Sequence, residues 1–154
     1  REGRAISTIE YNARWGDPEA QVIVPGITVD YIGLLQHEGR MREFEDDQTR
    51  VCVVGAAKGY PNYPETVDSV RGAEVHGLHR VTDMEGVELF SAALKVQDGK
   101  FYADGGRLFS VVGTGDTAEE AAERAYEAMS YISIAGNKLH YRTDIAERDI
   151  DRAD

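Results

Sequence analysis

Between residues 51 and 113, apolar positions recur in short runs separated by turn-forming residues, the pattern of a β-rich unit. Strands are predicted at Val51–Ala57, Ala73–Val75, Gly86–Val96, Lys100–Ala103 and Arg107–Gly113. Turn chemistry lies between them in Lys58-Gly59-Tyr60-Pro61, Asp83-Met84-Glu85-Gly86, Gln97-Asp98-Gly99 and Asp104-Gly105-Gly106. Asp98-Gly99, set between two alternating runs, predicts a hairpin. The apolar period then lengthens to that of a helix. Ala121, Ala122, Ala125, Tyr126, Met129 and Ile132 form one stripe, and Thr117-Ala118-Glu119-Glu120 ahead of it reads as a capping box.

Upstream, Ala5 to Trp15 alternates and predicts another strand. Gly16-Asp17-Pro18-Glu19 follows, with Asp17 suited to an N-cap, Pro18 to the first helical position and Glu19 to the positive helix end. A short helix is expected from there toward Pro25-Gly26, and a second over Val29–Gln36. Gly39–Arg50 is polar and predicts an exposed connection. The charged tail from Ala146 to Asp154 predicts a frayed or loosely helical end. The expected fold class is α+β: a largely antiparallel sheet packed by one long helix, Thr117–Ile132.

Composition narrows the class. The chain has 154 residues, enough to bury a core, and a net charge of −11. That charge argues against nonspecific attraction to nucleic acid or an anionic membrane. The acidic residues are dispersed, as on a solvated acidic surface. No apolar run reaches membrane-spanning length, and no signal-like apolar stretch follows Arg1-Glu2-Gly3-Arg4. The single cysteine, Cys52, lies in an apolar run and reads as a buried, reduced thiol. A cytoplasmic location is the expectation.

Candidate chemistry concentrates in the first predicted strand, where Glu10, Asn12 and Arg14 would share one face. A carboxylate and a carboxamide oxygen suit part of a magnesium shell, and the Arg14 fork suits a carboxylate or phosphoryl oxygen. A solvated polar strand face is the simpler account of Glu-x-Asn taken alone. Capping accounts for Asp17 and Glu19 before substrate contact does. Gly105-Gly106 permits close backbone approach, and Arg107 can reach a phosphate or pair with a surface carboxylate; both stay open.

Other signals fail. Gly113-Thr114-Gly115-Asp116-Thr117-Ala118 matches G-x-G-x-x-A, but Asp116, Glu119, Glu120 and Glu123 crowd the helix start where a pyrophosphate needs positive potential. No Walker-type loop occurs. His76-x-x-His79 lacks a third ligand at diagnostic spacing and reads as loop or strand histidines.

The string Glu10-Tyr11-Asn12-Ala13-Arg14-Trp15-Gly16-Asp17-Pro18-Glu19-Ala20-Gln21 resembles the motif closing the ATP-grasp core of the phosphoribosylamine–glycine ligase (glycinamide ribonucleotide synthetase) family. In order after it, Val53-Val54-Gly55-Ala56-Ala57-Lys58-Gly59-Tyr60-Pro61, Tyr102-Ala103-Asp104-Gly105-Gly106-Arg107-Leu108, the helix from Thr117 to Ile132 and His140-Tyr141-Arg142-Thr143-Asp144-Ile145 are similar to later family segments. Phe90-Ser91-Ala92-Ala93-Leu94-Lys95 departs from the family's usual Phe-His-Ala-Gly-Thr-Lys, which weakens any substrate role for that strand.

The resemblance implies ATP-dependent joining of glycine to 5-phosphoribosylamine through a glycyl phosphate, in de novo purine synthesis. It implies ATP and Mg2+ (or Mn2+) as cofactors, with Glu10 and Asn12 as metal ligands. Arg14 would be catalytic, and Arg14, Asp17 and Arg107 would contact substrate. His140, in the closing motif, is expected to serve by structural hydrogen bonding.

It also implies a division of the chain. Residues 1–50 would be the edge of the ATP-grasp core, ending in its last strand and helix, with a connection. Residues 51–145 would form a C-terminal β-rich domain and 146–154 a charged tail. The nucleotide-binding lobes would be supplied in cis or in trans, and the chain is expected to be inactive alone. The alternatives are a non-catalytic β-rich interaction module and the C-terminal domain of another ATP-grasp enzyme of purine synthesis.

Overall fold

The computed structural model describes residues 9–27, 32, 36 and 46–151. Its strands are β1 (Thr49–Ala57), β2 (Glu74–His76), β3 (Val87–Ser91), β4 (Leu94–Gln97), β5 (Lys100–Ala103), β6 (Arg107–Gly115), β7 (Ser133–Ile134) and β8 (Leu139–His140). The helices are α1 (Glu19–Ile23), α2 (Pro64–Asp68), α3 (Leu78–Thr82), α4 (Ala118–Ser130) and α5 (Glu147–Ile150), with a 3-10 turn at Val24–Gly26. Among the described residues, no helix is long and apolar enough to cross a membrane.

The strands form two four-stranded sheets, not one: β3-β6-β1-β8 and β4-β5-β2-β7. Every pairing between them is antiparallel. The predicted strand Gly86–Val96 is divided between the sheets. Its middle turns where Ala92 and Ala93 donate to the carbonyls of Leu108 and Arg107, leaving β3 on one sheet and β4 on the other. The Asp98-Gly99 hairpin forms as expected, with Gln97 opposite Lys100 and both turn residues at positive φ.

One face of the first sheet meets α4. Val51 and Val53 stand opposite Gly113 and Val111, which stand opposite Val87 and Leu89 on the other side. Helix α4 presents Ala121, Ala122, Ala125, Ala128 and Met129 to this core. A Cβ at Gly113 would come within 2.1 Å of the Ala121 carbonyl oxygen, so the bare backbone there lets the helix lie directly on the strand. That contact explains the glycine in the rejected dinucleotide pattern. The cap forms as expected at Thr117, whose Oγ1 accepts from the Glu120 amide at 3.2 Å. The Glu120 carboxylate reaches one residue further back than a capping box requires, accepting from the Asp116 amide at 3.0 Å.

Several expectations are corrected. Residues 9–15 carry no strand, although their polar and apolar types alternate. A strand is held by ladder partners and a packed face, and on the apolar face of this segment Ile9 (97% exposed) and Tyr11 (91% exposed) stay in solvent. Helix α1 has five residues, and its N-cap is Pro18 rather than Asp17. The C-terminal helix has 13 residues, a moderate length. Short helices α2 and α3 fill stretches read as turns or left unassigned. Of the predicted helix Val29–Gln36, Ile32 and Gln36 are described and helical; its other residues, like residues 5–8 of the first strand, lie outside the described set. Arg50, placed in an exposed connection, begins in β1 with its side chain only 9% exposed.

Candidate functional site

The Gly105-Gly106 pair shapes the site by what it leaves out. A Cβ on Gly106 would lie 2.1 Å from the Tyr60 ring, and one on Gly105 would lie 2.7 Å from Ala93 Cβ. The bare backbone therefore seats the Tyr60 ring on one side and Ala93 on the other. The Gly106 carbonyl accepts from the Ala57 amide at 2.7 Å, tying this turn to the end of β1. Arg107 begins β6 at the rim of the resulting cleft.

The cleft encloses about 740 Å3 and is lined by Arg14, Trp15, Asp17, Tyr60, Ala92, Ala93 and Arg107. Arg107 reaches across 90 positions of sequence: its Nη1 donates to the Asp17 carbonyl and carboxylate, each at 2.7 Å. Burial opposes the Arg107 charge, but the Asp17 carboxylate, with help from the Tyr60 hydroxyl, outweighs it and holds the pKa above its ordinary value. Its Nε is buried without an acceptor, so the fork keeps spare donor capacity. Arg14 donates to the Trp15 carbonyl at 3.0 Å and has no carboxylate partner among the described residues. The arrangement offers two guanidinium groups, two aromatic rings and one carboxylate already engaged, a setting for an anion.

Asp17 also accepts from Gln21 Nε2 at 2.8 Å, so its side chain ties the start of α1 to β6 rather than capping a backbone amide. The Glu19 carboxylate accepts from the Gly16 amide at 2.7 Å, closing the turn. Both acids hold local structure, but neither caps α1 as expected. Arg107, for which a phosphate and a carboxylate both stayed open, pairs with the Asp17 carboxylate and also lines the cleft.

The structure brings Arg14, Asp17 and Arg107 together. Glu10 and Asn12 are exposed and are not among the residues lining this cleft. Their hard oxygens suit Mg2+, but among the described residues no group of three or more metal-binding side chains assembles. Among the described residues these two therefore make no complete metal shell.

Sequence reasoning missed Tyr60, Trp15 and Ala92 as parts of the cleft. The signal for Tyr60 was the Gly-Tyr-Pro turn, where a large aromatic is bracketed by residues that cannot continue a strand. The departure at Ala92-Ala93 falls on the cleft wall itself, while Lys95 turns away to pair with Asp104 at 3.1 Å. The histidine pair divides: His79 Nε2 lies 3.1 Å from the Gly99 carbonyl, and His76 Nδ1 lies 3.5 Å from Glu74. The His140 imidazole, expected to hydrogen-bond structurally, makes no hydrogen bond among the described residues and faces a second cleft.

The family model described as Phosphoribosylglycinamide synthetase, C domain, matches residues 50–148. A phosphoribosylamine–glycine ligase of Caldanaerobacter subterraneus subsp. tengcongensis is 36% identical over 151 residues, covering 95% of this chain and 33% of that protein. The protein of the same name from Brucella melitensis is 35% identical over 149 residues, with 94% and 33% covered. The crystal structure of phosphoribosylamine–glycine ligase from Thermotoga maritima matches with a TM-score of 0.63 at 35% identity, over 85% of this chain and 32% of that one. The chain thus spans about a third of the length of the curated relatives it matches. With a family model matched over most of its length, the chain belongs to the phosphoribosylglycinamide synthetase C domain family.

Proposed function

We propose that the chain serves as the C-terminal portion of a phosphoribosylamine–glycine ligase, which joins glycine to 5-phosphoribosylamine at the expense of ATP in purine synthesis. The observation that carries the reading is the convergence of Arg14, Asp17 and Arg107 on one cleft, across 90 positions of sequence. In this reading residues 51–145 are the C-terminal domain and residues 1–50 the edge of the ATP-grasp core.

The chemistry asked of the cleft is anion positioning. Glycine enters as a carboxylate and is activated as an acyl phosphate, so negative charge accumulates at one end of the substrate throughout. Arg14, which has no carboxylate partner among the described residues, presents its fork to that end. Arg107 holds Asp17 and thereby fixes the turn that carries Arg14 and Trp15. Glu10 and Asn12 would hold Mg2+, which when bound neutralises the ATP phosphates; the rest of its shell comes from phosphates and from outside these residues.

The test joins this chain to the remaining two thirds of the Caldanaerobacter relative and measures glycinamide ribonucleotide formation. The hybrid is expected to turn over and the 154-residue chain alone is not. Glu10→Ala and Arg14→Ala should each lower the hybrid's rate about 100-fold or more. A hybrid equally active with and without Glu10 would remove the metal role.

A further inference from the structure

Beyond the first cleft lies a second one, which shares Tyr60 with it. Strand β1 ends at Ala57, and the Lys58 amide donates to the Lys138 carbonyl at 2.8 Å, which brings the chain alongside β8 and His140. The backbone then doubles back: the Tyr60 amide donates to the Ala57 carbonyl and the Tyr63 amide to that of Gly59. The turn encloses about 380 Å3 between Lys58, Tyr60, Asn62, Tyr63, Thr66 and His140.

Three features separate this cleft from ordinary surface. In a chain with 28 acidic residues, no carboxylate among the described residues lines it. Lys58 has no ion-pair partner among the described residues, whereas Lys95 and Lys100 pair with Asp104 and Glu74. The walls carry side-chain donors of several kinds: an ammonium, an imidazole, a carboxamide, phenols and a hydroxyl. Tyr63 stays 61% exposed and Tyr60 37% exposed, so apolar ring surface is left beside those donors. A small ligand with a doubly charged, oxygen-rich head and a less polar body fits that arrangement.

We propose that the second cleft is a phosphate-monoester subsite and that it takes the 5-phosphate of the phosphoribosyl substrate. Lys58 neutralises the phosphate, Asn62 and Thr66 donate to its oxygens, and the Tyr60 ring flanks the sugar as it passes toward the Arg14–Arg107 cleft. The assignment of the ester to phosphoribosylamine rests on the ligase reading; the preference for a phosphate monoester does not.

The test is an amide NMR titration of the 154-residue chain with ribose 5-phosphate, ribose and inorganic phosphate at fixed ionic strength. Ribose 5-phosphate should shift the amides of Lys58, Asn62 and Thr66, and it should bind at least fivefold more tightly than inorganic phosphate. Ribose should leave them unmoved. Lys58→Gln should weaken binding at least fivefold with the remaining spectrum unchanged, and Lys100→Gln, an equal charge change elsewhere, should leave it within twofold. Shifts confined to Arg14 and Arg107, an unaltered affinity in Lys58→Gln, or inorganic phosphate binding as tightly as the ester would each overturn the proposal. Lys58-dependent binding of the ester by a chain whose hybrid makes no glycinamide ribonucleotide would uphold the subsite while the ligase reading falls.

Discussion

Arg107 shows what a single side chain contributes when it links remote parts of a chain. Its two bonds to Asp17 join the first turn of the N-terminal segment to the central sheet. Arg107→Ala should free that segment: exchange of the Ala20 amide, which donates to the Gly16 carbonyl, should quicken at least tenfold, while Val111 stays unchanged. Nothing local announces this pair. Asp17 looked like an N-cap because it precedes Pro18, and only the fold shows that its carboxylate is spent on a residue in β6. Cys52 was better legible. Its apolar neighbours predicted burial; the residue is half-buried, and burial pushes its thiol up to about 11. Two units above the 9.0 of a free thiol mean about 100-fold less thiolate at pH 8, so iodoacetamide should label the folded chain about 100-fold more slowly than the urea-unfolded one. Because the native state keeps this proton longer, the thiol's contribution to stability is full below the unfolded pKa and falls as pH rises from there toward 11.

At the scale of elements, legibility followed burial. The long strands β1 and β6 were placed within two residues of their limits because both carry near-continuous apolar runs. Helix α4 announced itself by its stripe and cap. Periodicity could not show that Gly86–Val96 changes sheets, since alternation continues through a bend held by backbone bonds to Arg107 and Leu108. It also overrated residues 9–15, where the alternation has no ladder to serve. The contact between α4 and β6 yields a sharp prediction. Gly113→Ala places a methyl 2.1 Å from the Ala121 oxygen and 2.6 Å from the Ala125 nitrogen, so the helix must move. The loss should be about 2–3 kcal/mol, read as a lower urea midpoint at unchanged slope. The Asp46–Arg50 pair ties the connection to β1, and the Arg50 hydrogen bonds hold the Asp46 carboxyl below its ordinary pKa. A depressed carboxyl stabilises the fold above its unfolded value and stops doing so as pH falls through its folded one. The acid limb of the stability curve below about pH 4 should therefore be shallower in Asp46→Asn than in the parent chain.

Over the whole molecule, a charge of −11 and two clefts lined by cationic side chains are compatible because the charges occupy different places. Most described lysines and arginines are spent on carboxylates, backbone carbonyls or, for Arg80, the Tyr131 ring 3.4 Å away. Among the described residues Lys58 has no ion-pair partner, Arg14 donates to a backbone carbonyl without a carboxylate, and Tyr60 lines both of their clefts. Composition reports only the sum and so cannot reveal this separation. The surplus of acid should still register as self-repulsion: raising sodium chloride from 10 to about 150 mM should raise the melting temperature, where a balanced chain would respond little. Trp15, the chain's single tryptophan, stands on the wall of the larger cleft. The protein therefore carries its own optical probe where a ligand would arrive. Excitation at 295 nm isolates the indole, so filling the cleft should alter its emission without any label, and the neighbouring Tyr60 can pass energy to it as a donor. Light absorbed by the phenol that both clefts share would then be emitted by the indole of the larger one, so a fluorimeter can follow both.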